Sequence, residues 1–276
     1  MTAAAGRGAA DPYADPSVYD ILETPGTARE VDVLERIARA HGRAGPGGPA
    51  AGAGRRGVWL EPGCGTGRYL RVLAGRGHRV IGCDREPAMI AYARRTFRRR
   101  GLARRARLLV ADMASLADTL PAAVADVAIV PVNTFRHLAS DRAALAHLAG
   151  VAHVLRPGGI YVVGISLSVY GGEWPDEDVW TGTRGRCRVR QVIQYLPPEP
   201  GGPHPRRERV LSHLVIERPR GAEHRDAVYG LRCYDEAQWA SLVGRSPLRR
   251  LASLDARGRP RAGRRLPYQH EVLLRP

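Results

Sequence analysis

The sequence predicts an α/β fold: a mostly parallel sheet covered by helices on both faces, with an antiparallel β insertion after the fifth strand. Three observations predict it. From residue 58 to residue 165, short apolar runs alternate with amphipathic stretches, the pattern of strands buried on both faces and joined by helices. A glycine-rich loop follows the first apolar run and opens a helical stretch, which is how ligand-binding α/β sheets begin. After residue 166 the alternation stops, and charged–apolar alternation between Pro/Gly-rich turns takes over.

In chain order, residues 1–16 read as a frayed tail. Within residues 18–41, Val31, Leu34, Ile37 and Ala38 recur at helical spacing, with Thr27 as N-cap and Glu30 completing a capping box. Residues 42–57 (GRAGPGGPAAGAGRRG) have the composition of a flexible linker. Strands are expected at Val58–Glu61, Arg79–Cys83, Arg107–Val110, Asp126–Val130 and Gly159–Ile165. Helices are expected at Gly67–Ala74, Pro87–Arg100 and Asp141–Leu155. Three further strands, Arg186–Tyr195, Arg209–Glu217 and Ala227–Tyr234, form the insertion. A helix at Asp235–Val243 and strands near Leu248–Leu254 and Pro267–Leu274 finish the sheet. The chain thus divides into an N-terminal region (1–57), a core (58–165), an insertion (166–234) and a C-terminal completion of the core (235–276).

Composition narrows the function. The uncharged stretch Gly158 to Gly172, 15 residues, is too short to span a bilayer. The N-terminus lacks the apolar core of a secretory signal, so a cytoplasmic location is expected. Cys64, Cys83, Cys187 and Cys233 are widely spread and the histidines follow no metal-ligand spacing, so no metal site is expected. The net charge of +16 invites a nucleic-acid partner. However, all 43 basic residues are arginine, the mark of a G+C-biased genome. With no lysine, Schiff-base chemistry and a P-loop are excluded.

The sharpest signal is Leu60-Glu61-Pro62-Gly63-Cys64-Gly65-Thr66-Gly67-Arg68. Its glycines let the backbone turn tightly and approach a ligand. The spacing is G-x-G-x-G rather than the dinucleotide G-x-G-x-x-G, and the strand ends in an acid. A carboxylate there repels a pyrophosphate and suits a ligand bearing an amino group. Asp84 ends the second strand, where it can accept hydrogen bonds from a ribose diol. Asp112 and Met113 follow the third. Asp112 can accept from an adenine amino group, while Met113 and Met89 offer apolar faces to the ring. The thiols of Cys64 and Cys83 are read as packing groups.

The series EPGCGTG, GCD, ADM, DVAIVPVN and LRPGG, covering Val58 to Ile165, resembles class I S-adenosylmethionine (SAM)-dependent methyltransferases. The resemblance implies a Rossmann-like seven-stranded SAM-methyltransferase core with SAM as cofactor. It implies that Glu61 and the loop Gly63, Cys64, Gly65, Thr66 and Gly67 hold the methionine part of SAM. Asp84 would hold the ribose, and Asp112 and Met113 the adenine. Arg85 stands where the family often has an apolar residue and would stack on the ring instead. Pro131 and Asn133, past the fourth strand, belong beside the methyl group.

The segment Asn133-Thr134-Phe135-Arg136-His137-Leu138 and the N-terminal Val18-Tyr19-Asp20 resemble small-molecule methyltransferases of natural-product pathways, including deoxysugar and glycine-type N-methyltransferases. By that resemblance Tyr19 lies near the SAM methyl group and His137 near the acceptor, where an imidazole can serve as base. The acidic, Trp-flanked segment Glu173–Trp180 either attracts a cationic amine or is a solvated loop. The expected function is methyl transfer to an amine or hydroxyl of a small molecule, by a protein that can form a homodimer through the insertion. The alternatives are an RNA or DNA methyltransferase, against which the segment Pro131-Val132-Asn133-Thr134 lacks the [D/N]-P-P-[F/Y] pattern, and a non-catalytic SAM-binding partner protein.

Overall fold

The computed structural model describes residues 13–42, 56–199, 201–261, 263 and 265–276. Residues 1–12 of the expected tail and 43–55 of the expected linker lie outside them. The N-terminal region is two helices rather than one, α1 (Pro16–Glu23) and α2 (Thr27–His41). The break falls at Thr24-Pro25-Gly26, where Gly26 takes φ +84°. Asp15 caps α1 by accepting from the amides of Ser17 (3.1 Å) and Val18 (3.3 Å), with Pro16 at the first helical position. The expected capping box at Thr27 does not form. Gly26 is the N-cap, the Thr27 hydroxyl donates to the Thr24 carbonyl (2.8 Å), and Glu30 turns to Arg68 and Tyr69.

The central alternation is present as expected: β1 (Val58–Pro62), α3 (Arg68–Gly75), β2 (Arg79–Asp84), α4 (Pro87–Arg99), β3 (Ala106–Val110), a short α5 (Leu116–Thr119), β4 (Ala125–Val130), α6 (Asp141–Val154) and β5 (Leu155–Ile165). Four strands follow, β6 (Asp176–Arg184), β7 (Cys187–Leu196), β8 (Arg207–Arg218) and β9 (Gly221–Arg232). The chain ends with α7 (Glu236–Gly244), β10 (Arg249–Asp255) and β11 (Gln269–Leu274). One sheet has the order β10-β11-β5-β4-β1-β2-β3, the other β6-β7-β8-β9. In the first, β1 to β5 are parallel and β11 is antiparallel to both its neighbours. This is a Rossmann-like methyltransferase fold.

The insertion has one strand more than the sequence predicted. The missed strand, β6, contains most of the acidic segment, and its side chains are exposed except for Trp180 and Gly182. It is an edge strand held by backbone pairing to β7, so it carries no burial periodicity to read.

The central strands are buried on both faces. Trp59, Ile129 and Val162 point to one core with Leu70 and Phe97. Leu60, Val130 and Tyr161 point to the other with Phe135 and Trp239. A third, smaller core joins Val18, Ile21 and Leu22 of α1 to Val189, Leu214 and Ile216 of the second sheet. Helix α1 is therefore packed between the two sheets, and it fixes the roof of the site described next. Among the described residues no helix is long and apolar enough to cross a membrane.

Candidate active site

A cavity of about 850 Å³ lies where the C-terminal ends of β1, β4 and β5 face the inner side of the antiparallel sheet. That edge of an open α/β sheet is where ligands bind, because the loops diverge there and backbone amides point outward.

The glycine loop forms one wall. The Cys64 amide donates to the Cys83 carbonyl (2.9 Å) and the Gly67 amide to the Cys64 carbonyl (2.8 Å), so the chain doubles back at once. Gly63 and Gly65 take φ of +68° and +51°, a region that side-chain-bearing residues rarely adopt. Space is short as well. A Cβ on Gly63 would stand 2.9 Å from Thr134 Cγ2, and one on Gly65 3.3 Å from Tyr19 Cε1. Thr66 and Cys64 are buried within the loop, and burial pushes the Cys64 thiol well up, as befits a packing group.

Asp84 braces this loop. One carboxylate oxygen accepts from the Gly65 amide (2.7 Å) and the other from the Glu86 amide (2.9 Å). Burial nevertheless raises its pKa. Glu61, near the C-terminal end of β1, is 4% exposed, and its Oε2 has no hydrogen-bond partner among the described residues. Burial, partly offset by Arg68 and reinforced by Asp84, lifts its pKa to about 8. An unpartnered buried carboxylate oxygen is costly unless a donor completes it.

The adenine-side residues are spread out. Asp112 is exposed and caps the 3-10 turn Met113–Ser115, accepting from the Ala114 amide at 2.7 Å. Met113 lies close to the glycine loop, with its Sδ 3.8 Å from a Cβ built on Gly63. One reading of this region needs correction: Met89, on the inner face of α4, is fully buried and shows no free face. Arg85 is 68% exposed and lies 3.3 Å from Glu86.

Past β4, Pro131 is buried and Asn133 has φ +60°. Both ends of the Asn133 side chain are used within the fold. Its Oδ1 accepts from the Ser166 amide (2.7 Å), and its Nδ2 donates to Ser166 Oγ (3.2 Å). This clip ties the β4 loop to the end of β5 and sets the next turn, Thr134–His137.

His137 ends that turn against the antiparallel sheet. Its Nε2 lies 3.1 Å from the Tyr13 hydroxyl, and its ring stacks on Tyr229 with centroids 5.9 Å apart. Burial, then the charges of Arg85 and Arg136, hold its pKa at about 4, so the ring is neutral at physiological pH. Tyr19 packs edge-on against Tyr13 and, across the cavity, against Gly65. Burial raises the Tyr19 phenol far above its ordinary range.

Tyr13, Tyr229, Glu208 and Arg136 join this site although sequence reasoning missed their part in it. Tyr13 fell in the stretch read as tail. The Asp15-Pro16 cap just behind it was the available signal that order begins there. Arg136 is buried, paired with Glu208 of β8 at 2.9 Å and donating to the Arg232 carbonyl at 3.0 Å. No sequence spacing links it to β8.

The mouth of the cavity is acidic. Arg136 offsets Glu208, and Arg68 sits 3.7 Å from Glu23. Glu173, Asp176 and Asp178 line the cavity together with Trp174, Trp180 and Arg265. The acidic segment thus borders the cavity, with Asp176 and Asp178 also exposed to solvent.

Residues 60–159 match a family model described as a methyltransferase domain. The chain therefore carries a methyltransferase domain over these residues. Solved structures of similar fold include DesVI from Streptomyces venezuelae (19% identity, 94% of this chain and 98% of that one, TM-score 0.71). The sugar N-methyltransferase KedS8 from a Streptoalloteichus species is also similar (19%, 100% and 97%, 0.69). So is CalS10, an amino pentose methyltransferase from Micromonospora echinaspora, solved with SAM bound (19%, 90% and 90%, 0.62). No protein of curated function matches this sequence.

Proposed function

We propose that this protein transfers a methyl group from SAM to an amine of a small molecule held between the two sheets, an amino sugar being the first class to test. The observation that carries the cofactor half of this reading is Glu61. A buried carboxylate oxygen lacking a donor, beside a glycine cradle that any Cβ would crowd, fits the ammonium and carboxylate ends of the methionine part of SAM.

When bound, SAM supplies a methyl group on a positively charged sulfur that leaves readily, so the work left to the chain is mostly positioning. In this reading Glu61 receives the ammonium, and the glycine loop 63–67 leaves room beside it for the rest of the methionine part. Asp84 accepts from the ribose while continuing to hold Gly65. Tyr19 closes the cavity over the loop. His137, neutral and beside the Tyr13 hydroxyl, can accept a hydrogen bond from the uncharged form of the amine and so orient it, a positioning role that suits a ring held at a pKa of about 4. The acidic mouth concentrates cations. The amino-sugar assignment is supported by that lining and by the likeness to KedS8 and CalS10.

The test has two stages. Calorimetric titration with SAM comes first, and absence of binding would sink the reading. Incubation with SAM and a panel of amino sugars and their hydroxyl analogues follows, read by product mass. Methylation of the hydroxyl compounds alone would refute the amine assignment.

A specific observation favours a second reading, a nucleic-acid methyltransferase. Residues 94–107, on α4 and the edge strand β3, hold eight arginines, and residues 87–111 contain no acid. Binding of RNA at physiological ionic strength, weakening steeply with salt, would support it.

A further inference from the structure

Helix α1 touches the cofactor loop on one side and the antiparallel sheet on the other, and one buried carboxylate joins the two contacts. Asp20 is 2% exposed. Its Oδ1 accepts from Arg71 of α3 at 2.6 Å, and Arg71 donates its other terminal nitrogen to the Thr66 carbonyl, inside the glycine loop, at 2.7 Å. Its Oδ2 accepts from Arg184 of β6 at 2.7 Å and from the Tyr92 hydroxyl at 3.0 Å. Arg184 also donates to that hydroxyl at 2.8 Å.

The surroundings make the link tight. Gly182 of β6 lies so close to α1 that a Cβ there would clash with the Ile21 carbonyl. On the opposite side of α1 the Tyr19 ring stands against Gly65. The small core of Val18, Ile21 and Leu22 with Val189, Leu214 and Ile216 keeps the helix from sliding on the sheet. A shift of the glycine loop therefore reaches β6 through direct, charge-assisted hydrogen bonds.

We infer that Asp20 is a positioning residue that couples the cofactor loop to the roof of the acceptor cavity: a ligand that orders the loop also orders β6. Through Asp20 and Arg184 the sheet bearing the acidic mouth is held in register with the loop, and the coupling works in both directions. The inference rests on the proposed SAM site but concerns only contacts made by this chain.

Hydrogen exchange tests it without an acceptor, using S-adenosylhomocysteine (SAH) as the probe. In the wild type, SAH should slow exchange of the amides at 63–67 and also at 176–184, the latter about fivefold or more, the low end of typical intersite coupling. Arg184 is 46% exposed, so Arg184→Met should fold. It should keep the protection at 63–67, lose that at 176–184, and regain part of it as Arg184→Lys. Protection of the loop alone in the wild type would overturn the coupling and leave the cofactor site standing. The same holds for protection of β6 that survives Arg184→Met. No protection at either segment would overturn the cofactor reading and the coupling with it.

Discussion

Replacing Glu61 by Gln should change the proton balance of SAM binding as well as its affinity. Without ligand the Glu61 carboxyl has a pKa of about 8, so at pH 7 about nine in ten molecules hold it protonated. An ammonium placed against it favours the carboxylate and expels that proton. The ligand's own amine, with an ordinary pKa near 8, takes up about 0.1 proton at pH 7. Net release is therefore about 0.8 proton per SAM bound. A buried charged hydrogen bond contributes up to about 3 kcal/mol. Ionising a group one unit below its pKa costs about 1.4 kcal/mol, leaving roughly 1.6 kcal/mol, or about fifteenfold in affinity. Affinity should rise toward pH 8 and fall above it as the amine deprotonates. The assay is isothermal titration at pH 7 in buffers of differing ionisation enthalpy, whose slope counts protons. Glu61→Gln should release essentially none and bind about fifteenfold more weakly. A wild-type slope near zero, or an unimpaired Glu61→Gln, would refute the assignment of the ammonium to Glu61.

Asp84→Asn keeps an oxygen able to accept from Gly65 but removes the charge and the second acceptor, which holds the Glu86 amide. It should weaken SAM binding by about 1–3 kcal/mol in the same titration, run well below the variant's own thermal midpoint, and unimpaired binding would refute the ribose assignment. His137→Gln should leave SAM affinity intact and lower kcat about 10²-fold, the cost of a misplaced acceptor, once an acceptor is found. An unaltered kcat would mean that His137 only lines the cavity. Acid should destabilise the fold. His137 and His147 titrate near 4 in the folded protein, against an ordinary 6.5. As pH falls from 6.5 to 4 the unfolded chain takes up their protons first, and each removes about 3 kcal/mol that is fully present above 6.5. Urea midpoints should drop across that window and drop less in His137→Gln.

The order of strands and helices from Val58 to Ile165 was legible because each element there is buried on both sides or on one stripe, and burial writes its period into the sequence. The glycine loop was legible because positive φ admits few residues other than glycine. Strand β6 was not, since an exposed edge strand is held by its partner's backbone and needs no particular side chains. One misread residue follows the same logic. Thr27 was expected as a cap and has a side chain suited to the role, yet a neighbour far along the chain, Arg68, decides how it is used.

The sequence by itself determined the sheet, the loop that opens it and the acids at the ends of its first strands, because these rest on local backbone conformation and on burial that repeats within each element. Only the tertiary structure decided what completes the cavity. Tyr13 meets His137 across 124 residues, Arg136 pairs with Glu208 across 72, and Asp20 joins Arg71 and Arg184 across 51 and 164. Partners so far apart meet only when the N-terminal helices dock on the core and the insertion folds back over α1, and no local period or spacing records that encounter.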